Sequence, residues 1–213
     1  MNVIEINGVR YYETDRGLAP SVNAVIKSTQ NAVEKAAIAL AGERTGVSRE
    51  EHFYRGNTVE AAIDEILDGQ GGNAGEFEPY LVEFRPWVKK HLDLSAGFTR
   101  QQPIVGEMLG LPYAGTYDYL GWLKTGQQIL IDWKAPRTRR SRSSPQCQGY
   151  LMQAAAYLHA LKLTDTAIAQ VVYLLPGKKP HVMKMSSADV RDALATFEDR
   201  LVWFHATQTQ EAA

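Results

Sequence analysis

The sequence predicts an α/β protein: a small mixed central sheet flanked by helices, with an N-terminal helical part at residues 21–92. Three observations carry this expectation. Residues 98–107, 112–123 and 127–134 read as three successive β-strands. Helical periodicity dominates the segments before and after them. Residues 167–175, Ala-Ile-Ala-Gln-Val-Val-Tyr-Leu-Leu, form an apolar run of strand length that follows a predicted helix. Helices, a three-strand meander, helix, strand and helix in that order fit one layered domain over 1–213.

Taken in order, residues 2–13 alternate loosely around Asn7-Gly8, which predicts a hairpin. Pro20-Ser21 opens a short apolar helix bearing Val22, Val25 and Ile26, and an alanine-rich helix follows at about 31–42. Ser48 and Glu51 have capping-box spacing and start a helix lasting to about Asp68. The glycine-rich stretch 69–75 predicts a flexible loop. A helix around 79–92 carries Leu81, Phe84, Trp87, Val88 and His91, with Pro86 expected to kink or interrupt it. The three strands are joined at 110–112 and at Lys124-Thr125-Gly126. Ser144-Pro145 reads as an N-cap and first helical residue. Leu151, Ala154, Ala155, Leu158 and Leu161 then form one apolar stripe. Residues 181–185 predict a short partner strand, and a last helix after Ser187 buries Val190, Leu194, Phe197, Leu201 and Phe204.

Composition narrows the function classes. Over 213 residues, 45% are hydrophobic and 22% charged, with formal net charge −1. That is ordinary for a globular domain and offers no global sign of a polyanionic partner. One cysteine, Cys147, excludes an internal disulfide framework, a four-cysteine zinc site and a four-cysteine iron–sulfur cluster. The start shows no basic segment followed by an apolar one, and no run approaches the roughly 18 apolar residues of a membrane span. A cytoplasmic protein with no membrane partner is therefore expected.

The informative segment is Asp118 through Lys134. Ile129, Leu130 and Ile131 are apolar on both faces, so their strand is expected to be covered on both sides. Asp132 and Lys134, two residues apart at its end, point to one face. A three-residue loop Lys124-Thr125-Gly126, with Gly126 left-handed, pairs Leu123 with Gln127 and sets Asp118 opposite Asp132. A two- or four-residue loop would break that parity. Two carboxylates and an ammonium would then converge where aspartate is costly to bury. Hard divalent cations take such oxygen ligands; magnesium uses one or two carboxylates plus water and substrate phosphate. The plainer alternative is an Asp132–Lys134 surface pair worth roughly 0–1 kcal/mol.

These residues resemble the PD-(D/E)XK nuclease superfamily, in its RecB-like and phage-exonuclease branches. Gly115-Thr-Tyr-Asp118 is similar to a G-x-x-D motif, Asp132-Trp-Lys134 to the D-x-K strand, and Gln153 through Tyr157 to a Q-x-x-x-Y helix. The opening Tyr11 and Pro20-Ser21-Val22 is also similar to the start of such exonucleases. The resemblance implies a restriction-endonuclease-like core and a Mg2+-dependent deoxyribonuclease, Mn2+ being a possible substitute. Exonuclease action on linear DNA with accessible ends, in phage or prophage recombination or DNA processing alongside a recombination partner protein, is the implied role. Asp118, Asp132 and Lys134 are then catalytic, with Glu60, Asp118, Asp132 and the Trp133 backbone carbonyl as metal ligands. Gly56 through Glu60 departs from the family's G-x-x-x-H, placing glutamate where histidine would stand, with Gly56 expected to permit close approach. Ala135 departs too, where a hydroxyl residue commonly follows the lysine. Glu107 is either a further ligand or a strand-edge charge.

Residues 134–142 carry Lys134, Arg137, Arg139, Arg140 and Arg142, five basic residues in nine. Lysine and arginine supply phosphate affinity, so a substrate role is expected for these arginines beside an acidic cluster. Gln153 and Tyr157, extended by Gln146 and Tyr150, form a polar stripe for which core burial of all four is not expected; the resemblance implies that Gln153 and Tyr157 flank the catalytic lysine and contact substrate, while Gln146 could face only water. The competing class is a nucleic-acid-binding or assembly protein on a nuclease fold with little catalysis.

Overall fold

The computed structural model describes residues 1–43, 46 and 48–211. Three short strands, β1 (Val3–Ile6), β2 (Val9–Thr14) and β3 (Gly17–Pro20), form an antiparallel sheet in that order. The Asn7-Gly8 hairpin is present, both residues having positive φ. The third strand was not expected from the sequence. Its reversal depends on Gly17 at φ 108 and on Thr14, whose hydroxyl donates to the Gly17 carbonyl.

Helices α1 (Val22–Ser28), α2 (Ala32–Glu43) and α3 (Arg49–Leu67) follow. Ser21 accepts from the Ala24 N–H at 3.0 Å and Ser48 from the Glu51 N–H at 3.1 Å, so both are N-caps. Pro86 does not kink a long helix. Residues Gly75–Tyr80 form a 3-10 turn, and α4 (Phe84–His91) begins afterwards. Pro86 thus falls in the first turn, where its missing N–H had no intrahelical acceptor to lose.

The main sheet contains β4 (Thr99–Met108), β5 (Leu111–Trp122), β6 (Gln128–Lys134), β7 (Ile168–Leu175) and β8 (Lys178–Lys184), in that order. All neighbours are antiparallel except β6 and β7, which are parallel. That pair needs a long crossover, supplied by α5 (Pro145–Ala160). The β4–β5 turn falls on Leu109-Gly110, both at positive φ, so β5 begins one residue earlier than the sequence suggested. The β5–β6 loop has the anticipated form: Gly126 is at φ 82 and the Leu123 N–H donates to the Gln127 carbonyl at 2.9 Å.

Both faces of the sheet are covered. Leu130, Val171 and Tyr173 pack with α1, α5 and the C-terminal helix α6 (Ser187–Glu211). Ile129, Ile131, Trp133, Val172 and Leu174 pack with α3, the 3-10 turn and α4 on the other face. The helices of residues 21–92 are therefore divided between the two faces: α1 sits with α5 and α6, while α3 and α4 lie opposite. The small sheet docks on β5 through Tyr12, Ala19 and Ala114. No helix among the described residues is long and apolar enough to cross a membrane.

Candidate active site

Strands β5 and β6 part where the acidic residues stand. Their ladder runs from Trp122–Gln128 to Tyr119–Ile131, and in that register Asp118 and Asp132 are the next pair. Side-chain alternation along β5 also breaks there. Tyr117 packs in the α5-side core and Tyr119 in the opposite one, although residues two apart on a regular strand share a face. The Asp118 carboxylate fills the opening and accepts the Trp133 N–H on Oδ2 at 2.8 Å. Lys134 Nζ donates to Asp132 Oδ1 at 2.6 Å and lies 5.0 Å from the centre of the Tyr150 ring.

Burial dominates the electrostatics. Asp132 is 2% exposed, and its Oδ2 is buried without a hydrogen-bond partner. Burial pushes its carboxyl up to about 7 against the pull of Lys134, and the Asp118 charge adds to the rise. Asp118 is raised by burial, partly offset by Lys134. Burial opposes the Lys134 charge, yet Asp132 and Asp118 outweigh it and hold the ammonium protonated. Glu60 on α3 is raised first by burial and then by Asp118, and its Oε1 accepts from Gln101 Nε2 at 2.5 Å. Among the described residues, no three His, Cys, Asp or Glu side chains group tightly enough to cage a metal. Glu60 thus stands beside the Asp118–Asp132 pair without closing a three-carboxylate set.

A cavity of about 890 Å3 is lined by Glu60, Asp118, Lys134, Arg140, Gln153 and Tyr157 among others, with Asp132 buried behind Lys134 rather than in its lining. Gln153 and Tyr157 lie deeper than the half-buried Gln146 and Tyr150 of the same stripe, and all four border the cavity. Gln153 and Tyr157 are 5% and 3% exposed, joined by a 3.1 Å bond from Gln153 Nε2 to the Tyr157 hydroxyl, and Tyr157 lies against Gly115. A Cβ at Gly115 would come within 2.4 Å of Tyr157 Cε1. Gly115→Ala is therefore expected to cost about 1–3 kcal/mol through overpacking. Urea denaturation checks this, and a loss below 0.5 kcal/mol would mean that Tyr157 has room to move. Gly56, by contrast, has no such constraint: a Cβ there would meet nothing within 4 Å.

The four arginines disperse. Arg140 lines the cavity that Glu60, Asp118 and Lys134 border. Arg137 pairs with Glu51, and Arg142 pairs with Asp189 at 2.6 Å and donates to the Lys184 carbonyl. Arg137 and Arg139 border a different cavity. Glu107 forms a 3.0 Å ion pair with Arg16 and lies outside the cavity lining, which favours the strand-edge alternative.

Two residues of the site escaped the sequence reading. Gln101 has φ 49 inside β4, a conformation unusual for a non-glycine strand residue, and its side chain reaches Glu60. Arg55 is 2% exposed and donates from Nε to the Ala135 carbonyl at 2.9 Å, tying α3 to the segment after Lys134. Its Nη2 contacts His52 Nδ1 at 2.6 Å, and its Nη1 is 3.7 Å from Glu51. The Gly115 motif could have pointed to a packed aromatic neighbour; nothing local marks Gln101 or Arg55.

Comparison with known proteins gives no matching family model and no similar curated protein. Among solved structures, the chain is similar to a protein called SSO0001 at 13% identity and TM-score 0.43, over 83% of this chain and 73% of that one. A protein of Eubacterium rectale described as a candidate exonuclease is similar at 14% identity and TM-score 0.46. That match covers 70% of this chain and 66% of the other, just under two thirds of its length.

Proposed function

We propose that the chain is a metal-dependent deoxyribonuclease that hydrolyses phosphodiester bonds at the ends of linear DNA. One observation carries this reading: at the parting of β5 and β6, a buried carboxylate oxygen of Asp132 has no partner beside Asp118 and a protonated Lys134. An unpaired buried carboxylate is costly, and a hard cation would satisfy it. Asp118 and Asp132 would hold Mg2+ or Mn2+ with the Trp133 carbonyl, and Glu60 would stand next to them. Bound there, the ion would lower the pKa of a coordinated water and neutralise charge on the phosphate.

The chain's own groups supply the rest. Lys134, charged and braced over Tyr150, orients water or phosphate; as an ammonium it is no base. Arg140 meets phosphate from the cavity wall. Gln153 and Tyr157, bonded to each other, form part of that wall from α5. Helices α2 and α3 line one side of the cavity and α5 and the small sheet another, which favours a strand end over an internal bond.

The test uses end-labelled linear and circular DNA, single- and double-stranded, with Mg2+, Mn2+ or chelator. Shortening of linear DNA alone, abolished by chelator, is the expected result. Cleaved circles would make the enzyme an endonuclease. The Lys134–Asp132 ion pair and the absent hydroxyl at Ala135 favour the second reading, a catalytically weak binding protein. Salt-sensitive DNA binding without cleavage under either metal would select it.

A further inference from the structure

A second cavity, about 470 Å3, lies across the segment 135–140 from the first, and its charged lining residues are all basic, whereas the first mixes Glu60 and Asp118 with Arg10, Arg55, Lys134 and Arg140. Arg137, Arg139, Lys178, Lys179 and His181 line it together with Thr138, Leu175 and Pro176, and no acidic residue does. Arg137 shares Glu51, but Arg139, Lys178 and Lys179 have no carboxylate partner among the described residues. Uncompensated like charges crowded around one hollow repel one another and call for an anion.

Its location relates it to the proposed chemistry. Lys134 is registered with Tyr173 in the parallel pair, and Tyr173 with His181 in the next, so the three residues form one row across the sheet. At about 4.8 Å per strand, the backbones of Lys134 and His181 are about 10 Å apart. The segment 135–140 separates the hollows: Ala135, Pro136 and Arg140 line the first, and Arg137, Thr138 and Arg139 the second. That segment contains no acidic residue. Just past the end of β7, the turn at Pro176-Gly177 brings Lys178 and Lys179 to the same sheet edge, where Gly177 is anchored by donating its N–H to the Pro79 carbonyl.

We propose that this basic hollow on the β7–β8 turn is a backbone-binding track for the nucleic-acid strand, about three base steps of roughly 3.4 Å from the reacting phosphate. It rests on the nuclease reading for the identity of its polyanion. Lys178, Lys179 and Arg139 contact phosphates without reading bases, so the track adds affinity that falls with salt and is indifferent to sequence.

The test compares the full chain with Lys178→Ala/Lys179→Ala and with a control, Lys35→Ala/Lys89→Ala, which removes two exposed lysines outside the hollow. Binding of a labelled 30-base single strand is measured against KCl concentration, and hydrolysis of thymidine 5′-(p-nitrophenyl phosphate) with Mg2+ reads the acidic site alone. The slope of log affinity against log salt is expected to fall by about 1.4 in the turn variant, about 0.7 per lost contact. It should stay unchanged in the control, with hydrolysis of the small ester retained in both. An unchanged slope in the turn variant, or an equal fall in the control, overturns the track. Absence of DNA binding by the unaltered chain overturns it as well. Failure to hydrolyse the ester or DNA counts against the nuclease reading, while the binding slopes still decide the track.

Discussion

Lys134→Ala is expected to lower DNA hydrolysis about 10²–10³-fold and to destabilise the fold. The first effect follows from removing a preorganised charge at the reacting phosphate. The second arises because Asp132 is left buried with neither its cation nor any other partner for Oδ1. Breaking a buried pair in this way costs about 3–5 kcal/mol when the remaining group is ionised. The two effects separate with pH. As pH falls below about 7 the Asp132 carboxyl takes up a proton, so by pH 5 the stability loss should shrink to a packing term while the catalytic loss persists. Initial rates on end-labelled linear DNA and urea melts at pH 5 and 8 check both. Activity within about threefold of the unaltered chain would remove Lys134 from the mechanism.

Asp132→Asn should abolish cleavage and also weaken one signature and erase another, both visible without any substrate. The first is a pH dependence opposite to ordinary acid denaturation. Asp132 rises from 3.8 to about 7 on folding, so the folded state holds the extra proton between these values. Stability contributed through this group increases as pH falls from about 7 to 4, by about 4 kcal/mol at most. Asp118 and Glu60 shift in the same direction, again chiefly from burial, and add to the trend. The second signature is metal-linked. A cation bound at Asp118 and Asp132 stabilises the native state as its concentration exceeds Kd, by about 2.7 kcal/mol at 100 Kd. Thermal melts of the unaltered chain should therefore rise with Mg2+ at pH 8, and those of Asp132→Asn should not. If Mg2+ leaves the unaltered chain unmoved, the carboxylate pair is not a metal site at those concentrations.

Local signals carried the hairpin that bears the acidic pair. Gly126 after two turn-forming residues fixed the loop, and the loop fixed which residues face one another. Helix starts at Ser21, Ser48 and Ser144 were equally readable because capping chemistry acts within three residues. Features decided by distant partners were not readable. Arg55 stands between Tyr54 and Gly56 with no local mark of burial, and the carbonyl that it meets is 80 residues away. The basic run 137–142 reads as one patch, but Glu51 and Asp189 draw Arg137 and Arg142 apart. Gln153 and Tyr157 form a polar stripe on paper; the missing side chain at Gly115 lets that stripe sink under the sheet. Gln101 owes its role to a backbone twist that no residue type announces.

The parting of β5 and β6 also bears on the order in which the molecule assembles. Asp118, Asp132 and Lys134 all belong to one hairpin closed by three residues, whereas β6 and β7 are separated by 33 residues that include α5. Closing a loop costs entropy that grows as (3/2)RT ln n, so the hairpin is the cheaper contact to make and the parallel pairing the dearer. The charged cluster is thus gathered by local chain geometry while water can still reach it. The desolvation that raises its carboxyls is imposed later, when the crossover helix and its strand close over a hairpin that already exists.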